Sequence, residues 1–440
     1  MPTTLFSADV VCPMSGPPLT DGAVLVENGT ITAVGDAARL RDPAVREYRT
    51  TGVLLPGLVN GHTHLELTDA APLATAGPLV AWLDAVGGMT SEWSAERWGR
   101  SAHRGVQQTL RAGTTAVFDT VTRGPAVPAA ARAGLAGDSY VEVADIDVAD
   151  ADSVLAQVEY ALTLPADGRR VGIGPAAPYR MGAGVLQALG ALAGRVGAPV
   201  QLHAAGSEAE VLALREGRGP LADRARNAGM QFEWLDGGAP TPVRYLEALG
   251  VMQERTSIVN PVRVDAGEAR VLAKRGVAVV CCPRAGERLQ MGFPPLEHFV
   301  DSAVGVALGT ESPAIAPDAD LLAEAAAWVA GAQARGLHLW PTRAGPVGLH
   351  EAAVRLLTVD GARALGWGDR CGILEPGRRA DMVAVDITTT PADVFRDLVE
   401  RGAGRQVMTV LGGVRKARRN SADEAWPPID DDSWRSDDDS

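Results

Sequence analysis

Eight short apolar runs alternate with alanine-rich stretches through the middle of this 440-residue chain, and no other feature limits its fold as strongly. Strands that alternate with helix-length segments indicate βαβ units and a parallel sheet. Eight such units predict a closed α/β barrel of the TIM type, (β/α)8, with its chemistry at the C-terminal ends of the strands. The predicted strands are residues 53–64, 114–119, 139–145, 170–175, 199–203, 256–259, 277–282 and 304–310.

Strand-like segments at both chain ends predict a second, smaller unit. Residues 23–27 precede Asn28-Gly29, a strong signal for a two-residue hairpin turn. Near the other end, residues 379–386 and 406–411 also have the composition of strands. We therefore expect the two ends to pair into a β-sandwich domain, followed by a disordered acidic tail. The predicted bounds are 1–52 and 366–418 for the β domain, 53–365 for the barrel and 419–440 for the tail.

Charge and cysteine content restrict the classes of partner and of compartment. The net charge of −13 argues against a nucleic-acid backbone as the main partner. The four cysteines form no C-x-x-C pair, which favours a reducing, cytoplasmic environment. No apolar run is long enough to cross a bilayer. We expect a small-molecule partner, no nucleic acid and no membrane, and the composition is compatible with a homo-oligomer.

The strongest chemical signal is the pair His62 and His64 at the end of the first predicted barrel strand. Side chains two residues apart on a strand point the same way, so both imidazoles face one point. Paired neutral imidazoles are natural ligands for Zn²⁺ or Fe²⁺. Glu66, two residues further on, shares this face and is a candidate for contact with a substrate, although a hydrogen bond at the strand end explains it equally well.

The segment around these histidines resembles the amidohydrolase superfamily. More narrowly, it is similar to the deaminase and chlorohydrolase branch, near the aminofutalosine deaminase-like members. The matching stretches are residues 54–66, LLPGLVNGHTHLE; residues 212–221, LALREGRGPL; Cys282-Pro283-Arg284; Gly309-Thr310; and residues 372–381, GILEPGRRAD.

The resemblance implies one divalent metal ion, Zn or Fe, bound at the barrel mouth. His62, His64 and His203 match its three histidine ligands, and Glu311 stands where the branch has an Asp ligand. A metal ion of this kind makes hydroxide available near neutral pH. Arg284, in the Cys-Pro-Arg motif, joins Glu66 as a candidate for contact with substrate.

Two positions where the branch has proton-carrying side chains also depart from it. Gly206 stands where the branch has the Glu that moves protons, and Asn260 stands where it has a His. Glycine carries no proton, and an amide is neither an acid nor a base near neutral pH. Glu208 and Glu210 are close in sequence, but a different loop shape is needed to bring either into place. The sequence therefore does not identify the catalytic acid or base.

Two hypotheses for the function follow from these residues. The first is a metal-dependent hydrolase that acts on a non-peptide C–N bond of a small molecule, as deaminases do. The alternative is a non-catalytic protein with this fold that binds a small molecule or a partner, which the missing proton carriers favour. A metal-free isomerase or lyase would use the same barrel mouth, but no motif supports it.

Overall fold

The computed structural model describes residues 3–146, 151–164, 166 and 168–430. The strands are β1 Thr4–Val11, β2 Leu19–Glu27, β3 Thr30–Asp36, β4 Arg46–Pro56, β5 Leu58–Thr63, β6 Thr114–Val121, β7 Asp138–Val143, β8 Arg170–Pro175, β9 Val200–His203, β10 Thr256–Val259, β11 Ala278–Cys281, β12 Val306–Leu308, β13 Leu339–Thr342, β14 Gly345–Gly348, β15 Met382–Val385, β16 Gln406–Leu411 and β17 Val414–Arg418. The α-helices are α1 Ala37–Leu40, α2 Leu79–Thr90, α3 Ala95–Arg111, α4 Ala126–Ala133, α5 Ala151–Thr163, α6 Ala183–Val196, α7 Glu208–Glu216, α8 Pro220–Asn227, α9 Pro242–Ala248, α10 Ala266–Lys274, α11 Pro283–Arg288, α12 Leu296–Ser302, α13 Leu321–Ala334, α14 Leu349–Leu356, α15 Val359–Ala364 and α16 Val394–Arg401. Short 3₁₀ segments cover Leu65–Leu73, Pro178–Arg180 and Glu233–Asp236. None of the helices in these described residues combines the length and the apolar character that a membrane crossing requires.

Strands β5 to β12 form one parallel sheet in which sequence neighbours are spatial neighbours. The backbone N–H groups of Thr310 and Glu311 both donate to the carbonyl of His62 at 3.1 Å, which joins the end of the last strand to the first. This arrangement confirms the predicted (β/α)8 barrel. Each of the eight predicted strands overlaps one barrel strand, so the alternation of apolar runs and helical stretches located them correctly.

One predicted strand needs correction, because residues 53–64 form parts of two strands. β4 ends at Pro56 in the sheet built from the chain ends, and β5 begins the barrel at Leu58. Gly57 lies between them, and a Cβ atom there would lie 2.1 Å from the side chain of Thr115. Only glycine lets the chain pass this close to the neighbouring strand while it leaves one sheet for the other.

The chain ends form a seven-stranded sheet in the order β17-β16-β15-β4-β1-β2-β3. β4 pairs with β1 in parallel and with β15 antiparallel, so it joins the two ends. One face, with Leu55 and Val383, belongs to the apolar core shared with the barrel and its helices. On the other face, Phe6, Val24 and Met408 share a separate core. The prediction that both ends make one β unit is confirmed, with its strands hydrogen-bonded into a single sheet.

The first part of the predicted tail lies against the body. The Arg419 guanidinium donates to the carbonyl of Gln406 at 2.8 Å and stacks on Trp426 at 4.9 Å from the ring centroid. The N–H of Ala422 donates to Asp386 at 2.9 Å. These contacts differ from the disorder predicted for residues 419–440, of which 431–440 lie outside the described residues.

Candidate active site

The four residues predicted to bind metal converge at the C-terminal end of the barrel. His62 and His64 lie at the end of β5, His203 ends β9, and Glu311 follows β12. The Nε2 atoms of the three histidines lie 3.6, 3.5 and 3.5 Å from Oε1 of Glu311, in chain order. One donor atom from each residue lies within 4.8 Å of all the others, so these four residues form a group that can hold one metal ion.

The spacing of these atoms fits ligands of a common cation better than hydrogen-bonded partners. A hydrogen bond between nitrogen and oxygen spans about 2.7–3.2 Å, which is shorter than the observed separations. Two donors that each lie about 2.0–2.1 Å from a tetrahedral Zn²⁺ are about 3.4 Å apart. In addition, Nε2 of His62 is buried and has no hydrogen-bond partner among the described residues. The cluster therefore fits a divalent metal ion on both its distances and its chemistry.

Gln201 orients the His62 ring and was not predicted from the sequence. Its Oε1 lies 2.7 Å from Nδ1 of His62, while its amide nitrogen donates to the carbonyl of Gly61 and to the hydroxyl of Ser257, both at 3.0 Å. Because the amide nitrogen is committed as a donor, Oε1 must accept, and the His62 proton lies on Nδ1. The lone pair on Nε2 is thereby left for a metal ion. Gln201 lies two residues before His203 on β9, so strand alternation carried a signal for it.

The surroundings of His62, His64 and Glu311 favour the protonation states that bind a cation. Burial lowers the pKa of His62, and it lowers the pKa of His64 to about 4. Burial alone would raise the pKa of Glu311, but the three histidines that face it hold it well below its usual value. Neutral imidazoles beside an ionised carboxylate are the forms in which these groups coordinate metal ions.

The turn after β12 accommodates a Glu where the resemblance leads one to expect Asp. Glu311 has a left-handed backbone with a φ of 59°. Its Oε2 accepts the N–H of Ser312 at 2.7 Å, which leaves Oε1 to face the imidazoles. The additional methylene is thus taken up by the turn, and the carboxylate still reaches the ligand position.

A cavity of about 250 Å³ adjoins the metal-binding group. One wall is apolar and comes largely from α2, while another wall carries acidic and basic side chains. The sequence did not indicate that α2 borders the site. The apolar wall includes Leu79, Trp82, Leu83, Val86, Leu289 and Met291, and the polar wall includes Glu142, Asp145, Arg180, Glu210 and Arg224.

Glu66, a predicted substrate contact, lies outside this cavity lining. Its carboxylate is completely buried and accepts four backbone N–H groups at 2.7–3.1 Å, those of Thr122, Arg123, Gly124 and Ala126. Strand β5 ends at Thr63 and a 3₁₀ segment begins at Leu65, so the alternation that placed Glu66 beside His64 stops before it. The structure therefore supports the hydrogen-bonding interpretation of Glu66.

Arg284, the other predicted substrate contact, is also engaged elsewhere. Its guanidinium makes two hydrogen bonds to the carboxylate of Asp318, at 2.8 and 2.9 Å, and lies 3.5 Å from the buried carboxylate of Glu324. These acids hold the side chain away from the residues that line the cavity. Arg284 thus stabilises the segment around β12 and is not available to a ligand in the cavity.

Gly206 and Asn260, which stand where the branch has proton-carrying side chains, both line the cavity. Oδ1 of Asn260 accepts the N–H of Cys282 at 2.7 Å, which fixes the orientation of the amide. Its Nδ2 is buried and has no hydrogen-bond partner among the described residues. Asn260 therefore offers a fixed hydrogen-bond donor that a ligand in the cavity can satisfy.

The sequence and the fold agree with those of a known family. Residues 53–414 match the profile of the amidohydrolase family. The chain belongs to this family. A short segment, residues 22–42, also matches an imidazolonepropionase-like composite domain of bacteria. The family assignment confirms the resemblance drawn from the barrel motifs.

Relatives of this amidohydrolase are deaminases. It is 32% identical over 321 residues to an aminodeoxyfutalosine deaminase of Deinococcus radiodurans, covering 70% of this chain and 76% of that protein. It is 31% identical over 381 residues to a 5-methylthioadenosine/S-adenosylhomocysteine deaminase of Syntrophobacter fumaroxidans, covering 83% and 80%. The crystal structure of an adenosine deaminase of Xanthomonas campestris with bound zinc superposes with a TM-score of 0.77 at 25% identity, covering 98% and 97%.

Proposed function

We propose that this amidohydrolase is a metal-dependent hydrolase that releases ammonia from a non-peptide C–N bond of a small molecule. The observation that carries the proposal is the group of three imidazole Nε2 atoms, each 3.5–3.6 Å from one carboxylate oxygen of Glu311. The deaminase activity of the relatives supports the same reaction class. Substrates related to adenosine are the first to test, because the names of these relatives refer to them.

The ligand residues and the cavity walls have separate functions in this reaction. His62, His64, His203 and Glu311 would hold the metal ion, which lowers the pKa of bound water and polarises the reacting group. Gln201 keeps the His62 lone pair directed to that position. The apolar wall excludes water from the bound ring, while Asn260 donates a hydrogen bond from Nδ2 to an acceptor on the substrate. This division matches small-molecule sites in general, where a few fixed polar groups orient a ligand between apolar walls.

The test combines metal content with ammonia release. The purified protein, expressed with ample metal, is expected to contain one equivalent of Zn or Fe by elemental analysis and to release ammonia from an amino-purine nucleoside in a substrate panel. His62→Ala should lose both properties. His350→Ala is the matched control, because His350 pairs with Glu400 at 3.4 Å, and it should keep both. Negligible metal in the wild-type protein and in His62→Ala alike would refute the proposal.

A second candidate function is binding without turnover. The observation that favours it is the absence of an acid or base at Gly206 and Asn260, which line the same cavity. A protein of this kind would hold the metal and would be stabilised against heat by a nucleoside, but it would release no ammonia. The substrate panel therefore separates the two functions when thermal unfolding is measured beside ammonia release.

The remaining sequence-based expectations belong with this proposal. A cytoplasmic location is supported by the free cysteines Cys12, Cys281, Cys282 and Cys371, which are all buried as thiols. The net charge of −13 supports a partner that is not a nucleic acid. The division into a β domain from both chain ends, a barrel and a tail stays a proposal, as does a homo-oligomer, which light scattering tests.

A further inference from the structure

Hydrolysis of a C–N bond needs a side chain that moves a proton from water to the departing nitrogen. Several titratable side chains other than the four metal-binding residues border the cavity. Most of them are already committed: Arg180 forms ion pairs with Asp145 and Glu142, and Arg224 forms one with Asp84. The guanidinium groups also stay protonated at any working pH. Glu210 is the acid in this lining that takes both of its hydrogen bonds from backbone groups.

Glu210 reaches the cavity by folding back over the start of its own helix. Ser207 is the N-cap of α7, and its hydroxyl accepts the N–H of Glu210 at 3.2 Å. The Glu210 side chain then extends past the N-cap, where Oε1 accepts the N–H of Ala205 at 3.0 Å and Oε2 accepts the N–H of Gly206 at 2.9 Å. The carboxylate is therefore held at the loop that follows His203, and each oxygen keeps a lone pair for a further partner.

The carboxylate of Glu210 borders the space that a side chain at position 206 would enter. A Cβ atom on Gly206 would lie 4.0 Å from Oε2 of Glu210, 3.6 Å from the sulfur of Met291 and 3.5 Å from the carbonyl of Asn260. These are ordinary contact distances, so a Cβ atom at position 206 fits without displacing its neighbours. A carboxylate carried by residue 206 and the carboxylate of Glu210 would thus serve the same region of the cavity.

The surroundings of Glu210 suit a group that exchanges protons. The side chain is only 2% exposed. This burial raises the pKa of Glu210 to about 7, although the N–H groups of Gly206 and Ala205 act to lower it. A carboxyl group of this kind supplies both the acid and the base form near neutral pH, which is where proton transfer is most efficient.

We propose that the Glu210 carboxyl group performs the proton transfer of the hydrolysis, in place of a side chain at position 206. The proposal rests on the deaminase function proposed above. In that reaction an amidine carbon, C(NH₂)=N, becomes an amide, C(=O)–NH, and water is consumed as ammonia is released. Glu210 accepts a proton from the water as the C–O bond forms and donates it to a substrate nitrogen as the C–N bond breaks. The second water proton goes to the other nitrogen, and the carboxylate is regenerated.

Three variants of the metal-loaded full chain test this assignment. Glu210→Gln should lower kcat by at least about 100-fold, with KM changed by only a few-fold and with its metal content retained. Glu208→Gln is the matched control, because Glu208 lies on the same helix, is 73% exposed and pairs only loosely with Arg263 at 3.7 Å. It should behave as the wild type. The double variant, which adds Gly206→Glu to Glu210→Gln, should have a kcat at least about tenfold higher than that of Glu210→Gln alone.

The outcomes separate this assignment from the proposed function. Wild-type kcat in Glu210→Gln would overturn the assignment and leave the deaminase function standing. Loss of metal and activity together in Glu210→Gln, without rescue by Gly206→Glu, would also overturn it, since Glu210 would then serve only to hold the loop after His203. A wild-type protein that holds metal but releases no ammonia from any substrate would refute the deaminase function, and the assignment with it.

Discussion

Replacing Glu66 with Gln should destabilise the fold without removing a substrate contact. The Glu66 carboxylate accepts four backbone N–H groups of the loop after β6, two on each oxygen. A Gln side chain has one acceptor oxygen, so two of the four N–H groups would face an amide donor instead. Each unsatisfied buried donor costs about 1–3 kcal/mol. Thr122 and Arg123 are exposed residues whose N–H bonds to Glu66 are partly buried, so water offsets part of this cost. We therefore expect a loss of about 2–4 kcal/mol in unfolding free energy.

Urea unfolding followed by circular dichroism measures this loss. Glu142→Gln is the matched control for stability, because Glu142 accepts the hydroxyl of Thr122 at 2.7 Å and an amide oxygen can accept it equally well. The substitution also removes the 3.7 Å ion pair with Arg180, but Arg180 keeps its ion pair with Asp145. The control should lie within about 0.5 kcal/mol of the wild type. If Glu66→Gln is as stable as Glu142→Gln but binds ligand much more weakly, the hydrogen-bonding interpretation of Glu66 is wrong and the substrate contact predicted from strand alternation is right.

Two further predictions concern the metal and the end sheet. Gln201→Leu removes the acceptor of the His62 N–H and should weaken metal binding about 10–100-fold in competition with a chromophoric chelator, whereas Ser257→Ala, which spares that contact, should change it by only a few-fold. Equal affinities in the two variants would contradict the orienting function of Gln201. Burial raises the pKa of Asp381 to about 6 from 3.8, so its contribution to stability is full at low pH and is lost as the pH rises through about 6. Asp381→Asn keeps an acceptor for the N–H of Gly412. Relative to the wild type, its free energy of unfolding should therefore rise by up to ~3 kcal/mol as the pH increases from about 4 to about 8. A pH-independent difference in urea unfolding would exclude this cause.

The barrel was predictable because its signal is repeated along the chain. Eight apolar runs located eight strands, and the metal ligands followed from strand alternation at His62 and His64 together with the family motifs. The division of residues 53–64 into two strands was not predictable in this way. Both halves are apolar and continuous, and the change of sheet at Gly57 depends on its close approach to Thr115, which lies far away in sequence.

The site residues that were misplaced or missed depend on local geometry beyond the strand ends. Glu66 was placed by an alternation that does not extend into the 3₁₀ segment after β5. Gln201 lies two residues before His203 and so points to the same side of β9, as strand alternation predicts. Its function is apparent only from the structure, where it lies beside His62 of another strand. Glu210 required a side chain that folds back over the N-cap of α7, and a sequence pattern does not show such a path. Each case requires knowledge of which backbone groups lie within hydrogen-bonding distance.

Metal binding and barrel closure share residues in this protein. The carbonyl of His62 accepts the N–H groups of Thr310 and Glu311, while the His62 and Glu311 side chains face each other across the same joint. An ion that binds both side chains therefore also ties the first barrel strand to the last. At a free concentration about a thousandfold above its Kd, such an ion stabilises the folded state by about 4 kcal/mol. Stabilisation by a bound ion would therefore explain the four ligands in a hydrolase and in a binding protein alike. It would not explain a side chain that carries protons. Ammonia release is consequently the property that separates these two functions, and its dependence on Glu210 tests which residue carries the proton.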